Sequence, residues 1–456
     1  MSHNEKDKSI KLFRDAPVSK AVLFNVIPSI ISMLMVLVYN LADTFFIGKT
    51  QNSLMLAAVS IATPAFLLFM AIGMLFGIGG TSLISRMLGE GNIKRARKVS
   101  SFCFWTGLSI GLVSLVFIYI FSEKISYSIG ANSETIGYTR DYLKIVAFGI
   151  PFLIISNCFS NVIRSEGKAA IAMAGMIIGN LTNIVLDPVM ILGLDWGVRG
   201  AAIATVLGNV VAALFYFFHL ISKNTMLSIK PSDYVAGQRI ALDVFAIGIP
   251  ASLNSILMSV SNIVINNKME KFGNDAVAGL GIAMKVNMIV VMLLIGLGTG
   301  VQPLLGYCFG SGNKKRFFKV FRFSAFLALS LSAVMTVICY AGASFLVEAF
   351  MKDPSTYDYA FSFSRIYILS GPILGMLFLF INAIQSTGAA IPSLILSVSR
   401  QGLLYLPILH IISRETTSAR MLAFTQPLTD YLATLLAFVL FIITSKKYFE
   451  KRTAIK

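Results

Sequence analysis

Apolar runs of roughly 20 to 30 residues, separated by short polar joints, repeat from one end of this chain to the other. About 20 apolar residues rising 1.5 Å each are enough to cross a hydrocarbon core as a helix. Twelve such runs fit, at 18–47, 53–84, 97–121, 138–163, 168–193, 198–222, 240–267, 275–305, 317–345, 358–384, 389–412 and 419–445. The pattern predicts an all-α integral membrane protein with twelve transmembrane helices and no soluble domain. The opening segment MSHNEKDKSIKLFRDAP is charged, and the first apolar run lacks a small-residue cleavage site, so it reads as an uncleaved first span.

The pattern also repeats. Sliding the chain by about 221 residues lays Ile27-Pro28 on Ile249-Pro250, Asn40 on Asn262, and LGEGN at 88–92 on FGSGN at 309–313. Further on, Pro151 meets Pro372, and Asn161, Ser165 and Gly167 meet Asn382, Ser386 and Gly388. The expected organisation is a cytoplasmic tail (1–17), an N-lobe of six spans (18–222), a cytoplasmic linker (223–239), a C-lobe of six spans (240–445) and a second tail (446–456). Because six is even, both copies have the same orientation, related by a pseudo-two-fold axis along the membrane normal. Two pseudo-symmetric six-helix bundles around a central cleft suit alternating access, which makes a transporter the leading class.

Composition sharpens the picture. Hydrophobic residues make up 56% of 456 positions and charged ones 13%, with a mean hydropathy of +0.79, values outside the soluble class. A net charge of +17 would suggest nucleic acid in a soluble protein, but its distribution excludes that. Of 38 Lys and Arg, 25 fall on alternate joints and the two termini, 11 on the other side (Lys49 and Lys352 among them) and two within spans. That bias is the positive-inside signature of a multi-pass protein of a bacterial-type cytoplasmic membrane, with both termini cytoplasmic. Cys103, Cys158, Cys308 and Cys339 lie in or beside apolar runs without CxxC spacing and read as packing residues. His3, His219 and His410 do not cluster, so metal-site and Ser-His-Asp readings have little to build on.

Of 21 Asp and Glu, Asp43, Asp187 and Asp430 stand clearly within apolar runs. A carboxylate at membrane depth is expensive and is a functional-site hypothesis by default. Asp43 and Asp187 both lie near the outer ends of their spans, and Asn183 shares a helix face with Asp187, four residues on. Two acids facing each other in a poorly hydrated pocket repel and favour taking up a proton. A Na⁺ ion held by Asp43 and Asp187 would use the same oxygens, and the residues leave that choice open. Tyr39, Asn40, Asn157, Asn161, Asn180 and Thr205 supply polar groups nearby, although a single amide in a membrane helix is more often interhelical glue. The acids break the repeat: Asp43 falls on Ile265 or its neighbours, and Asp187 on the region of Pro407 to Ile408. In the second copy Lys285, Arg400 and Asp430 are the ionisable residues within spans, with roles in mutual pairing or in substrate and gating. Pro28 and Pro250 interrupt the first helix of each copy. A bend at Pro28 would move Asp43 relative to Asp187.

The motifs P-x(10)-YNLADTFFIG from Pro28, SRMLGEGN, NVIRSEGK from Asn161, NIVLDP from Asn183 and GVRGAAIAT from Gly197 resemble, over nearly the whole chain, the multidrug and toxic compound extrusion (MATE) family. Within it they look like the DinF-like and bacterial multidrug-efflux branch. The resemblance implies a secondary active antiporter that exports organic cations and other amphipathic drugs in exchange for H⁺ or Na⁺. It implies cation coupling at Asp43, Asn157, Asn183, Asp187 and Thr205. The family's other branch has further acids in the seventh and tenth spans, and this chain has none there, only amides such as Asn262 and Asn382. The expectation is a monomer in the lipid bilayer with small organic cations as partners, no nucleic acid, and no cofactor beyond the coupling ion. The alternatives are a lipid-linked precursor flippase, which would carry basic groups through its cavity for a diphosphate, and a polytopic membrane enzyme.

Overall fold

A computed structural model describes residues 10–48, 53–237, 239–350, 353–415 and 418–453. His3, Lys49, Lys352 and the extreme ends of both tails lie outside the described residues. Within them every regular element is helical, with no strand. The spans are α1 (Val18–Gly48), α2 (Ser53–Gly89), α3 (Ile93–Ser128), α4 (Ile136–Val162), α5 (Ala169–Asp187) and α6 (Gly197–Ile221). They continue with α7 (Ile240–Met269), α8 (Asn274–Gly310), α9 (Lys314–Ala341), a two-part α10 (Pro354–Ile368 and Gly371–Thr387), a two-part α11 (Ala390–Val398 and Tyr405–Glu415) and α12 (Ala419–Thr453). Eleven described helices are long and apolar enough to cross a bilayer, and the two parts of α10, bent by 50°, make the twelfth. Pro372 at the start of the second part has no N–H to continue the helix across the bend. Several ends outrun the hydropathy pattern, α3 continuing to Ser128 and α12 to Thr453 among them, so charged residues expected in joints are helical.

The repeat is visible in the turns. Gly91 and Gly312 have φ of 76° and 72°, a left-handed conformation that costs glycine little. Each closes its helix the same way, with Asn92 N–H donating to Met87 O (2.8 Å) and Asn313 N–H to Cys308 O (3.1 Å), the six-to-one bond of a Schellman end. The same asparagines then cap the next helix, Asn92 accepting from Arg95 N–H and Asn313 from Arg316 N–H.

The contacts divide the chain into two compact units. One comprises 1–15 and 34–248, the other 16–33 and 249–456. The boundaries depart from chain order within α1 and α7: the first half of α1 belongs to the second unit, and the first residues of α7 to the first. The local packing explains this. Gly79 on α2 lies against the Val244 backbone and Gly248 against the Leu75 backbone, while Gly296 and Gly300 on α8 lie against Ile30 and Val26.

In the first unit, the segment after α6 is strapped down. Glu166, in a 3-10 turn after α4, is fully buried. It accepts the backbone N–H of Met226 (2.8 Å) and the Thr225 hydroxyl (3.0 Å), with His219 Nε2 at 3.2 Å and Lys168 Nζ at 3.6 Å. Lys168 also donates to Asn224 O, Trp105 Nε1 to Ile229 O (3.0 Å) and Ser101 Oγ to Lys230 O (2.8 Å). Glu166 had no place among the intramembrane acids read from sequence, because its partners come from 50 to 60 residues downstream.

Candidate functional site

The first unit holds a cavity of about 120 Å³ between α1, α2, α4, α5 and α6. Its wall is built from small residues on α5 and α6. A Cβ on Gly179 would stand 2.8 Å from Ala212 Cβ and 2.9 Å from Gly208 O, so the two helices touch there only because both positions are glycine. That close approach brings Asn183 on α5 to Thr205 on α6. With its amide oriented so that both ends are satisfied, Asn183 Nδ2 donates to Asp187 Oδ2 (2.9 Å), and its oxygen accepts from Thr205 N–H (3.0 Å) and Oγ1 (3.3 Å). Asn183 and Asp187 are both buried.

Asp187 closes α5 and is followed at once by a π-helical turn, Pro188–Gly193. Such turns loosen the backbone ladder and recur at functional sites. One carboxylate oxygen, Oδ1, is buried without a hydrogen-bond partner. Asp43 on α1 is half-buried and within electrostatic reach of Asp187, and Tyr39 and Tyr142 lie close to both acids. An unpartnered, buried carboxylate oxygen beside a second acid is costly unless a cation or proton completes it.

Of the residues named from sequence, Tyr39, Asn157, Asn180, Asn183 and Thr205 line the cavity. Asn157 donates from Nδ2 to Leu153 O (3.0 Å) in its own helix. Asn180 Nδ2 is buried and unpartnered. Asn161 is not among the lining residues; it donates to Asn157 O (3.0 Å) and accepts from the buried Arg164 (3.1 Å). Asn40 is exposed and donates to Val36 O in its own helix. Pro28 sits inside α1, where Ser32 Oγ donates to its carbonyl (2.8 Å).

Arg400, Asp430 and Lys285 belong to the second unit and do not join this cluster. Arg400 and Asp430 pair with each other at 2.9 Å. Lys285 is exposed, with its ammonium 5.9 Å from the Phe350 ring centre. Sequence reasoning missed Tyr142, Ser156 and Asn209. Ser156 Oγ donates to Asn209 Oδ1 (3.1 Å), and both line the cavity. Asn209 stands four residues after Thr205 on α6, a spacing that carried the signal.

Among the described residues no three His, Cys, Asp or Glu converge. The donors gathered here are carboxylate, amide and hydroxyl oxygens, hard ligands suited to a proton or an alkali cation rather than a soft transition metal. The lining residues carry no cationic side chain.

Residues 28–189 and 250–411 each match the MatE family. The chain is 34% identical over 411 residues to the multidrug export protein MepA of Staphylococcus haemolyticus, covering 90% of each chain. It is 32% identical over 409 residues to MepA of Staphylococcus aureus strain MRSA252, again covering 90% of each. Among solved structures it is similar in fold to a MATE crystallised in complex with MaL6, with a TM-score of 0.92 at 24% identity over 97% of this chain and 99% of that one. It is equally similar, with a TM-score of 0.92 at 24% identity, to the outward-facing conformation of a multidrug resistance MATE family transporter of the MOP superfamily, over 97% of this chain and 98% of that one.

Proposed function

Because the chain belongs to the MatE family, whose members are membrane transporters and not enzymes, we propose that it is an antiporter that exports organic cations and other amphipathic drugs in exchange for H⁺ or Na⁺. The observation that carries this is the buried, unpartnered Oδ1 of Asp187, beside Asp43 and next to a cavity lined by amide and hydroxyl groups. A coupling cation bound there completes the carboxylate pair and lowers the cost of enclosing it. Its departure on the other side of the membrane restores a negative pocket that attracts the next cationic cargo. A lining free of Lys and Arg supports a cation as cargo over a diphosphate.

In this reading Asp43 and Asp187 hold the ion, Asn183 and Thr205 orient Asp187, and Asn157 and Asn180 offer further donors and acceptors. Alternating access then moves the loaded pocket between faces, with cytoplasmic termini and a bend at Pro28 as the moving part. Each charge carried across 100 mV contributes about 2.3 kcal/mol, a driving force of roughly fifty-fold in concentration.

The test is efflux of ethidium from proteoliposomes under separately imposed pH and Na⁺ gradients, for the parent and for Asp187→Asn. Efflux driven by one gradient and lost in the variant is the expected result and identifies the ion. No efflux under either gradient, with the variant behaving as the parent, overturns the reading.

A further inference from the structure

The second unit carries its own version of the cavity wall, and an ion pair stands in it. The two copies match at 221 residues: Gly91 with Gly312 and Gly167 with Gly388 share a positive φ. The buried faces of the sixth and twelfth spans match too. Val198, Ala201, Ala202, Ala204, Thr205 and Gly208 are buried in α6, and Ala419, Leu422, Ala423, Thr425, Gln426 and Thr429 in α12. On this register four cavity-lining residues of the first unit, Asn157, Gly179, Thr205 and Asn209, become Phe378, Arg400, Gln426 and Asp430.

Those four replacements touch one another. Arg400 Nε donates to Asp430 Oδ1 at 2.9 Å, and Gln426 Nε2 donates to both Asp430 oxygens at 3.2 and 3.1 Å. The guanidinium carbon lies 5.2 Å from the centre of the Phe378 ring, within cation–π range. Arg400 is 6% exposed and Asp430 0%. Tyr367 and Tyr405 are the other titratable groups near Asp430. Where glycine leaves room in one copy, an arginine fills it in the other, and the carboxylate it meets is already satisfied.

We propose that Arg400 is a tethered cation: it occupies, from the protein's own chain, the place in the second repeat that the first repeat leaves open as its cavity, and removing it creates a cation site at Asp430. The charge at this place in the second unit is thereby fixed by the chain itself. The comparison rests on reading the first cavity as a cation site, whereas the test reads the second unit directly. Failure of the Asp187→Asn result would overturn the functional reading and leave this experiment's outcome standing.

The experiment measures Tm of the purified full-length protein with and without millimolar methylguanidinium chloride or NaCl, for the parent, Arg400→Ala and the double variant Arg400→Ala/Asp430→Asn. The expected result is a Tm loss of about 5 °C or more in Arg400→Ala, since one partner of a buried pair is left uncompensated. Methylguanidinium or Na⁺ recovers most of that loss, while the parent and the double variant do not respond. The double variant keeps ethidium efflux within about threefold of the parent. A single variant that does not respond to either cation overturns the proposal. So does a double variant that fails to fold, because the pair then holds helices together rather than filling a site, and so does a folded double variant that has lost efflux. If Arg400→Ala alone fails to fold, a folded and active double variant supports the proposal, since neutralising Asp430 then removes the uncompensated charge.

Discussion

Asn183 holds Asp187 from one helical turn away: its amide N–H reaches Oδ2 at 2.9 Å while its oxygen is held by Thr205 N–H at 3.0 Å. Thr205 is on the neighbouring helix, so the carboxylate is oriented by a bridge between α5 and α6. Asn183→Leu keeps the branched shape and removes the bridge. A lost hydrogen bond to a charged group is worth about 1.5–3 kcal/mol, so gradient-driven efflux is expected to fall about tenfold or more, with monodisperse protein still recovered. Efflux equal to the parent's would show that Asp187 is oriented by something else.

The contact between α5 and α6 is set by Gly179 and Gly208. Gly179→Ala places a methyl 2.8 Å from Ala212 Cβ and 2.9 Å from Gly208 O, neither of which can swing aside. The helices must separate, at a cost of about 1–3 kcal/mol, and Asn183 withdraws from Thr205. The variant is expected to lose both thermal stability and efflux. Gly137→Ala, which meets nothing within 4 Å, serves as the matched control and should change neither.

Glu166→Ala strips the strap after α6 of its acceptor. Met226 N–H and the Thr225 hydroxyl lose their partner, and Lys168 and His219 face an emptied site. The expected destabilisation is about 3–5 kcal/mol, with faster proteolytic cleavage within 222–230. Glu166→Gln retains an acceptor oxygen and should cost less. Unchanged cleavage in both variants would mean that Trp105 and Ser101 hold the segment unaided.

Pro28→Ala restores a backbone donor in the middle of α1. If bending there moves Asp43, the alanine helix is straighter and stiffer. Efflux is expected to drop severalfold while Tm holds or rises. Full efflux in the alanine variant would remove the bend from the cycle.

The spans were legible because lipid leaves the backbone few options: a run of apolar residues must be a helix. The repeat was legible because turn chemistry recurs, as at Gly91 and Gly312. Asp43, Asn183 and Asp187 stood out since polar groups in apolar runs are costly. Register was harder. The π turn at Ser399–Leu403 adds a residue to α11, so the buried series Gly179, Asn183, Asp187 runs on as Arg400, Tyr405, Leu409, one beyond a uniform shift. Nothing in the sequence marks that turn. Glu166 was missed for a different reason, since a charged residue at the edge of a span reads as a joint until its distant partners close over it. The assignment of the first half of α1 and the first residues of α7 to units out of chain order was equally invisible, because glycine-to-backbone contacts leave no pattern in either copy of the repeat.

The shared membership of α1 has a temporal side. Residues 16–33 leave the ribosome some 270 residues ahead of Gly296 and Gly300, the α8 glycines they lie against. At about 5–20 residues per second of synthesis, the start of the first helix waits roughly 13 to 54 seconds for its permanent neighbour. During that interval the face of α1 that these glycines later cover has no partner from their helix, so the start of this span completes its packing long after it is made.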